Sequence, residues 1–203
     1  MTAAPAHLHP AYRTALRLSA GLNLIMFLLE GGVGLWIGSA ALVADAVDFL
    51  EDTGIYSLAL LAIAWSARTR ARAALVMGCA MGAVGLVALW QVFHRIVAGG
   101  SPSPAPMAVT AAGALAVNVF CAWRLAPHQR GDASMRSIWL STRNDAILNA
   151  LTIVAAGVVA LTASGWPDVA AGLLIAGINL WAAVDILGQA RRELVANPPQ
   201  EEP

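Results

Sequence analysis

Asp45-Ala-Val-Asp48-Phe-Leu-Glu51-Asp52 places four carboxylates within eight residues, inside an apolar run that begins near Ala40 and continues to about Trp65. On a helix Asp48 and Asp52 stand one turn apart, with Asp45 and Glu51 flanking them on the same broad face. A carboxylate near the centre of a bilayer costs roughly 2.5–3.5 kcal/mol on insertion scales. Several in one span call for a task that offsets the cost, and the first expectation is a path for a cation or protons through a helix bundle.

Composition supports the membrane setting. The 203 residues are 59% hydrophobic and only 12% charged, about half the charge of an ordinary soluble domain. Net charge is zero and all twelve basic residues are arginine. They sit mostly between the apolar runs, and no basic tract suits nucleic acid. Cys79 and Cys121 both fall inside apolar runs without a CxxC pair and read as packed thiols. The N-terminal stretch lacks the charged-then-apolar pattern of a cleaved signal peptide.

Six apolar stretches are each long enough for a helix to cross ~30 Å of hydrocarbon. They are Ala15–Ile37, Ala40–Trp65, Ala73–His94, Pro106–Trp123, Ile138–Thr162 and Val169–Gly188. The connections alternate in character. Gly38-Ser39, the 98–105 segment and the 164–168 segment carry no arginine, whereas Arg68, Arg70 and Arg72, then Arg124, Arg130 and Arg136, fill the other two. The positive-inside rule puts both arginine loops and both termini in the cytoplasm. The expected fold is therefore an all-α membrane protein, a six-transmembrane-helix bundle. Residues 1–12 form an N-terminal arm, 13–193 the transmembrane domain and 194–203 a short disordered tail. Trp36, Trp65, Trp123, Trp139 and Trp166 near the span ends read as interfacial anchors.

Polar residues at depth define the candidate site. Counted along the spans, Asp48 and Asp52 lie roughly 14 and 20 Å from one surface, which sets Asp52 level with Asp145 of the fifth span. Ser141, Asp145 and Asn149 follow i, i+4, i+8 and share one face. Two carboxylates from one helix turn, one from a facing helix and a further oxygen make a cavity for a divalent cation. Without a cation, such a cluster should hold one or two protons. Metal in, protons out is then the expected exchange. Arg143 points away from Asp145 by about 160° on the ideal wheel, with Asp185 as its expected partner. Asn23, Asn118 and Asn179 read as interhelical hydrogen-bonding groups, Glu30 as a group near an ion or proton exit, and Asp45 as lining the outer mouth or tying the helix end. Ala74, Gly78, Gly82 and Gly85 form a small-residue stripe suited to internal packing or dimerisation. His7, His9 and His128 are candidates for metal capture at the cytoplasmic entrance.

The stretch Gly34-Leu-Trp-Ile-Gly38-Ser39-Ala-Ala-Leu42-Val-Ala-Asp45-Ala-Val-Asp48-Phe-Leu-Glu-Asp52 resembles the second-helix signature of the cation diffusion facilitator family. That signature has a Gly-Ser turn, then Leu-x-Ala-Asp-Ala, then His or Asp, three residues, and Asp. Ser141-Thr-Arg-Asn144-Asp145-Ala-Ile-Leu-Asn149 is similar to the family's fifth-helix site. The resemblance implies a proton-coupled exporter of divalent transition metals, with ligands at Asp48, Asp52 and Asp145. Ser141 stands where the family usually has histidine, and Asn149 or Asn144 would complete an all-oxygen shell less selective for zinc. It also implies a short form without the family's cytoplasmic C-terminal domain. The cargo would be Zn, Cd, Co, Mn or Fe, with no permanently bound cofactor. The partners would be protons, the lipid bilayer and a homodimer formed through transmembrane helices. The expected location is the cell membrane, multi-pass, as in a bacterial inner membrane. The competing readings are an intramembrane Mg-dependent transferase, which lacks a second Asp cluster here, and an accessory membrane subunit.

Overall fold

The structure, a computed structural model, describes residues 10–61, 65–129 and 133–196. Six long helices account for nearly all of them: α1 (Pro10–Ile37), α2 (Ala40–Leu61), α3 (Ala67–Ala98), α4 (Pro104–Leu125), α5 (Ala133–Thr162) and α6 (Trp166–Ala196). A 3-10 turn, Ala126–His128, follows α4. The helices start where the sequence offers caps. Ser66 accepts from the Thr69 amide at 3.2 Å, and Pro104 follows Ser103 at the head of α4.

Several helices overrun the apolar spans. α1 begins at Pro10, α3 extends from Ala67 to Ala98, and α6 runs to Ala196. The added turns carry Arg13, Arg68, Arg70, Arg72, Arg191 and Arg192, and arginine is a good helix former. Hydropathy marks where the lipid stops, not where the helix stops. Five of the helical segments are long and apolar enough to cross a membrane. α2 is not among them because its four carboxylates lower its apolar character. The outer faces are apolar, with Leu28, Trp36, Leu86, Trp90, Val109, Trp123, Leu161 and Trp181 exposed. That inversion of a soluble protein's surface, with the long apolar helices, makes this a multi-pass membrane protein.

Packing pairs α1 with α2, α3 with α6 and α4 with α5, while α2 also touches α3, α5 and α6. Every residue of α2 from Ala40 to Phe49 is buried. Small residues allow the close approach. A Cβ on Gly172 of α6 would come within 2.8 Å of the Ala40 carbonyl carbon. One on Gly34 of α1 would come within 2.9 Å of the Val43 Cγ2 atom. The carboxylate-bearing helix is thus threaded through the middle of the bundle.

Candidate functional site

The first turn of α2 is tied down from two sides. Ser39 caps the helix, its Oγ accepting from the Leu42 amide at 3.2 Å. Asp168, from the first turn of α6, is fully buried and accepts from Ser39 Oγ at 2.6 Å and from the Ala40 and Ala41 amides at 2.8 and 3.1 Å. A carboxylate at a helix N-terminus meets both the free N–H groups and the positive end of the helix dipole. Arg95 of α3 holds the other side of the turn. Its Nε donates to the Gly38 carbonyl at 2.9 Å and its Nη2 to the Ile37 carbonyl at 3.0 Å. Gly38 has φ +69°, and a Cβ there would collide with the Arg95 head, so glycine is required on both counts.

Deeper along α2 the polar groups are buried but unpaired. Glu30 and Asp45 are fully inaccessible and Asp48 is 5% exposed. Both oxygens of Glu30, both of Asp45 and Oδ2 of Asp48 have no hydrogen-bond partner. Glu30 lies beside Asp45, and Asp45 beside Asp48. Thr152 of α5 is close to Asp45, but its hydroxyl donates to the Leu148 carbonyl at 3.3 Å. Ionised carboxylates facing one another are acceptors only, and among the described residues no donor is bonded to these oxygens.

One turn further, Asp52 does have a partner. The Tyr56 hydroxyl bonds Asp52 Oδ2 and also contacts Thr142 Oγ1 of α5. Thr142 and Tyr56 are both fully buried. Asp145 is half-buried, and Asp52, then Asp48, lead the charges acting on it. Asp52 and Asp145 are therefore near enough to act on each other across the α2–α5 contact. Asn149 is fully buried and donates to the Asp145 carbonyl at 2.7 Å, leaving its own Oδ1 without a partner. Ser141 is half-buried and Asn144 exposed. Among the described residues, no three His, Cys, Asp or Glu side chains converge closely enough to hold a metal ion. The carboxylates line one region without forming a closed ligand set.

Other expectations fare unevenly. Asp45 does not line a mouth: it is sealed under α1, and the residue that ties the helix end is Asp168. The depth count placed Asp45 near the surface because it ignored the helices packed over that end. Arg143 is exposed, sits over the Trp139 ring at 5.4 Å and bonds Asn144, while Asp185 accepts from Gln189. Asn179 donates to the Ala44 carbonyl at 2.9 Å, tying α6 to α2 as an interhelical group should. Asn23 donates to the Ser19 carbonyl at 2.8 Å and lies 3.7 Å from Cys121 Sγ. Within the glycine stripe, Gly78 and Gly85 pack against Leu187 and Leu180 of α6, and Gly82 faces open space. His128 stacks obliquely on Tyr12 with ring centroids 5.2 Å apart. His7, His9 and all of the expected tail beyond Ala196 lie outside the described residues.

Sequence reasoning passed over Asp168, Tyr56 and Thr142. Asp168 follows Trp166-Pro167 and reads as loop; its partners are more than a hundred residues away. The available signal was Ser39, a helix cap whose buried end needed further acceptors.

A helical membrane bundle with unpaired carboxylates on a central helix, opposite a carboxylate on a neighbour, is the architecture of an ion-translocating domain. Residues 16–195 match the cation efflux transmembrane domain, and the chain belongs to that family. It is 28% identical over 192 residues to the zinc transporter ZitB of Yersinia pestis and 27% identical to the zinc transporter ZitB of Yersinia pseudotuberculosis serotype I (strain IP32953). Each alignment covers 87% of this chain and 61% of the relative, so the chain spans about three-fifths of the length of the relatives it matches.

Proposed function

We propose that the chain exports a divalent transition-metal cation of the zinc class in exchange for protons, through Asp48 and Asp52 of α2 and Asp145 of α5. All six helices span the membrane in this reading, with both termini and the arginine loops cytoplasmic. The observation that carries it is the set of buried carboxylates on α2, with both oxygens of Asp45 and Oδ2 of Asp48 unpartnered, in a chain of the cation efflux family. Such oxygens are satisfied by a cation or by protons, and each can replace the other. A cation entering between α2 and α5 draws Asp48, Asp52 and Asp145 together, with Ser141 and the free Oδ1 of Asn149 as neutral ligands.

Access follows from burial. α2 is buried from Ala40 to Phe49, and partial exposure begins at Leu50 and Glu51 and returns at Thr53, Gly54 and Ile55, with Asp52 and Tyr56 still buried between them. In the proposed orientation this is the cytoplasmic half, the side from which an exporter loads. Release requires the α1–α2 end to open, an alternating exposure of one fixed site. The family is one of transport domains, which favours this reading over the transferase one.

The test is cation-driven proton flux in proteoliposomes with Zn²⁺, Cd²⁺, Co²⁺, Mn²⁺, Fe²⁺ and Mg²⁺. Flux with one or more transition metals, lost in Asp48→Ala, is the expected result. Absence of flux with every ion removes the reading.

A further inference from the structure

We infer that Tyr56 and Thr142 form a hydroxyl switch that competes with the cation for Asp52 and reports its arrival from α2 to α5. The inference rests on the reading of Asp52 as a cation ligand.

Tyr56 Oη sits between Asp52 Oδ2, on its own helix, and Thr142 Oγ1, on α5. Thr142 Oγ1 is also 3.0 Å from the Ile138 carbonyl, to which it donates. Tyr12, Leu16, Leu125, Met135 and Ile138 pack with Tyr56 into one apolar cluster. Three contacts therefore share two hydroxyl protons, in a pocket whose other walls offer mainly hydrocarbon. When Asp52 is a free carboxylate, it is the strongest acceptor within reach and takes the Tyr56 proton. When a cation occupies Asp52 Oδ2, that acceptor is lost. The Tyr56 proton then turns to Thr142 Oγ1, whose own proton goes to the Ile138 carbonyl. Both arrangements leave no buried hydroxyl proton unbonded. The side chains hardly move, but the bond that matters passes from within α2 to between α2 and α5. Cation loading thereby strengthens the α2–α5 tie just beneath the site.

Tyr56 and Thr142 are positioning residues in this scheme, acting through Asp52 rather than as ligands. The scheme gives the two hydroxyls opposite effects on affinity. Tyr56→Phe frees Asp52 from a hydrogen bond that the cation must otherwise displace, so binding tightens, by about tenfold for a charge-assisted bond. Thr142→Val removes the acceptor that receives the displaced proton, so binding weakens several-fold. Thr142→Ser keeps the hydroxyl and restores the unmodified affinity. Because Thr142 acts through Tyr56, Thr142→Val has no effect on affinity when Tyr56→Phe is also present.

The experiment is calorimetric titration of Zn²⁺, and separately Cd²⁺, into the purified chain in lipid nanodiscs, for these variants and for Asp52→Ala. Loss of binding in Asp52→Ala with tightening in Tyr56→Phe supports the switch. Loss in Asp52→Ala with unchanged or weaker binding in Tyr56→Phe overturns the switch and leaves the transport reading standing. A Thr142→Val effect that persists beside Tyr56→Phe also overturns it. Unchanged binding in Asp52→Ala overturns the assignment of the ligand, and the switch with it. The conservative Tyr56→Phe retains the ring that fills the cluster, and a merely structural loss at that position does not tighten binding.

Discussion

Asp168 and Asp45 are both fully buried carboxylates at the first half of α2, Asp168 reaching it from α6 and Asp45 carried on it. Asp168 accepts three hydrogen bonds, from Ser39 Oγ and two helix-end amides. Asp45 accepts none, and its neighbours Glu30 and Asp48 are also carboxylates. The two residues separate what burial alone leaves mixed. A buried charge whose lone pairs are met by donors is part of the scaffold. A buried charge facing other charges is a cost that the fold carries for something that comes and goes. In this protein the scaffold use clusters at the α1–α2 turn, and the unpaired groups begin one and a half turns further along the same helix.

Breaking the unpaired side should give the largest functional effect. Asp48→Ala or Asp145→Ala removes a ligand and a proton site together, and metal-driven proton flux in vesicles should fall to the level of protein-free liposomes. Breaking the paired side should instead give the largest loss of stability. Asp168→Ala strands Ser39 Oγ and two helix-end N–H groups in a buried setting, at a cost on the order of 3–5 kcal/mol, which thermal unfolding in nanodiscs will register as a large drop. Arg95→Lys is a milder version of the same break. Lysine cannot span the Gly38 and Ile37 carbonyls with a planar fork, and about 1 kcal/mol of stability is lost, measurable by the same unfolding assay. The smallest effect carries the opposite sign. Glu30→Gln removes a charge and supplies an N–H to Asp45, so the unfolding temperature stays level or rises by the equivalent of up to ~1 kcal/mol. A drop in Glu30→Gln as large as that in Asp168→Ala would erase the distinction between the two regions.

The burial and spacing of the α2 carboxylates were legible in the sequence because they depend on periodicity. Asp48 and Asp52 share a face through i, i+4 spacing, and the antiparallel depth count set Asp52 opposite Asp145. The Gly38-Ser39 turn marked the reversal between α1 and α2 equally well, whereas Arg68, Arg70 and Arg72, expected in a loop, lie in α3. What stayed hidden depends on contacts distant in sequence. Asp45 was expected near a surface because nothing local shows that α1 and α6 close over the start of α2. Asp168 looked like loop because its partners are on α2. Tyr56 carries no local signal because its meaning comes from Thr142, 86 residues away. Helix ends were misjudged where arginine continues a helix beyond the lipid, since hydropathy falls there and helix propensity does not.

The most direct test of the central claim is to measure Zn²⁺ uptake and thermal unfolding on the same vesicles for Asp145→Asn. The account predicts that uptake is lost while the unfolding temperature equals or exceeds that of the unmodified chain, because the removed charge stabilises nothing in the fold. Uptake at the unmodified rate, or a lost uptake explained by a collapsed unfolding temperature, would contradict it.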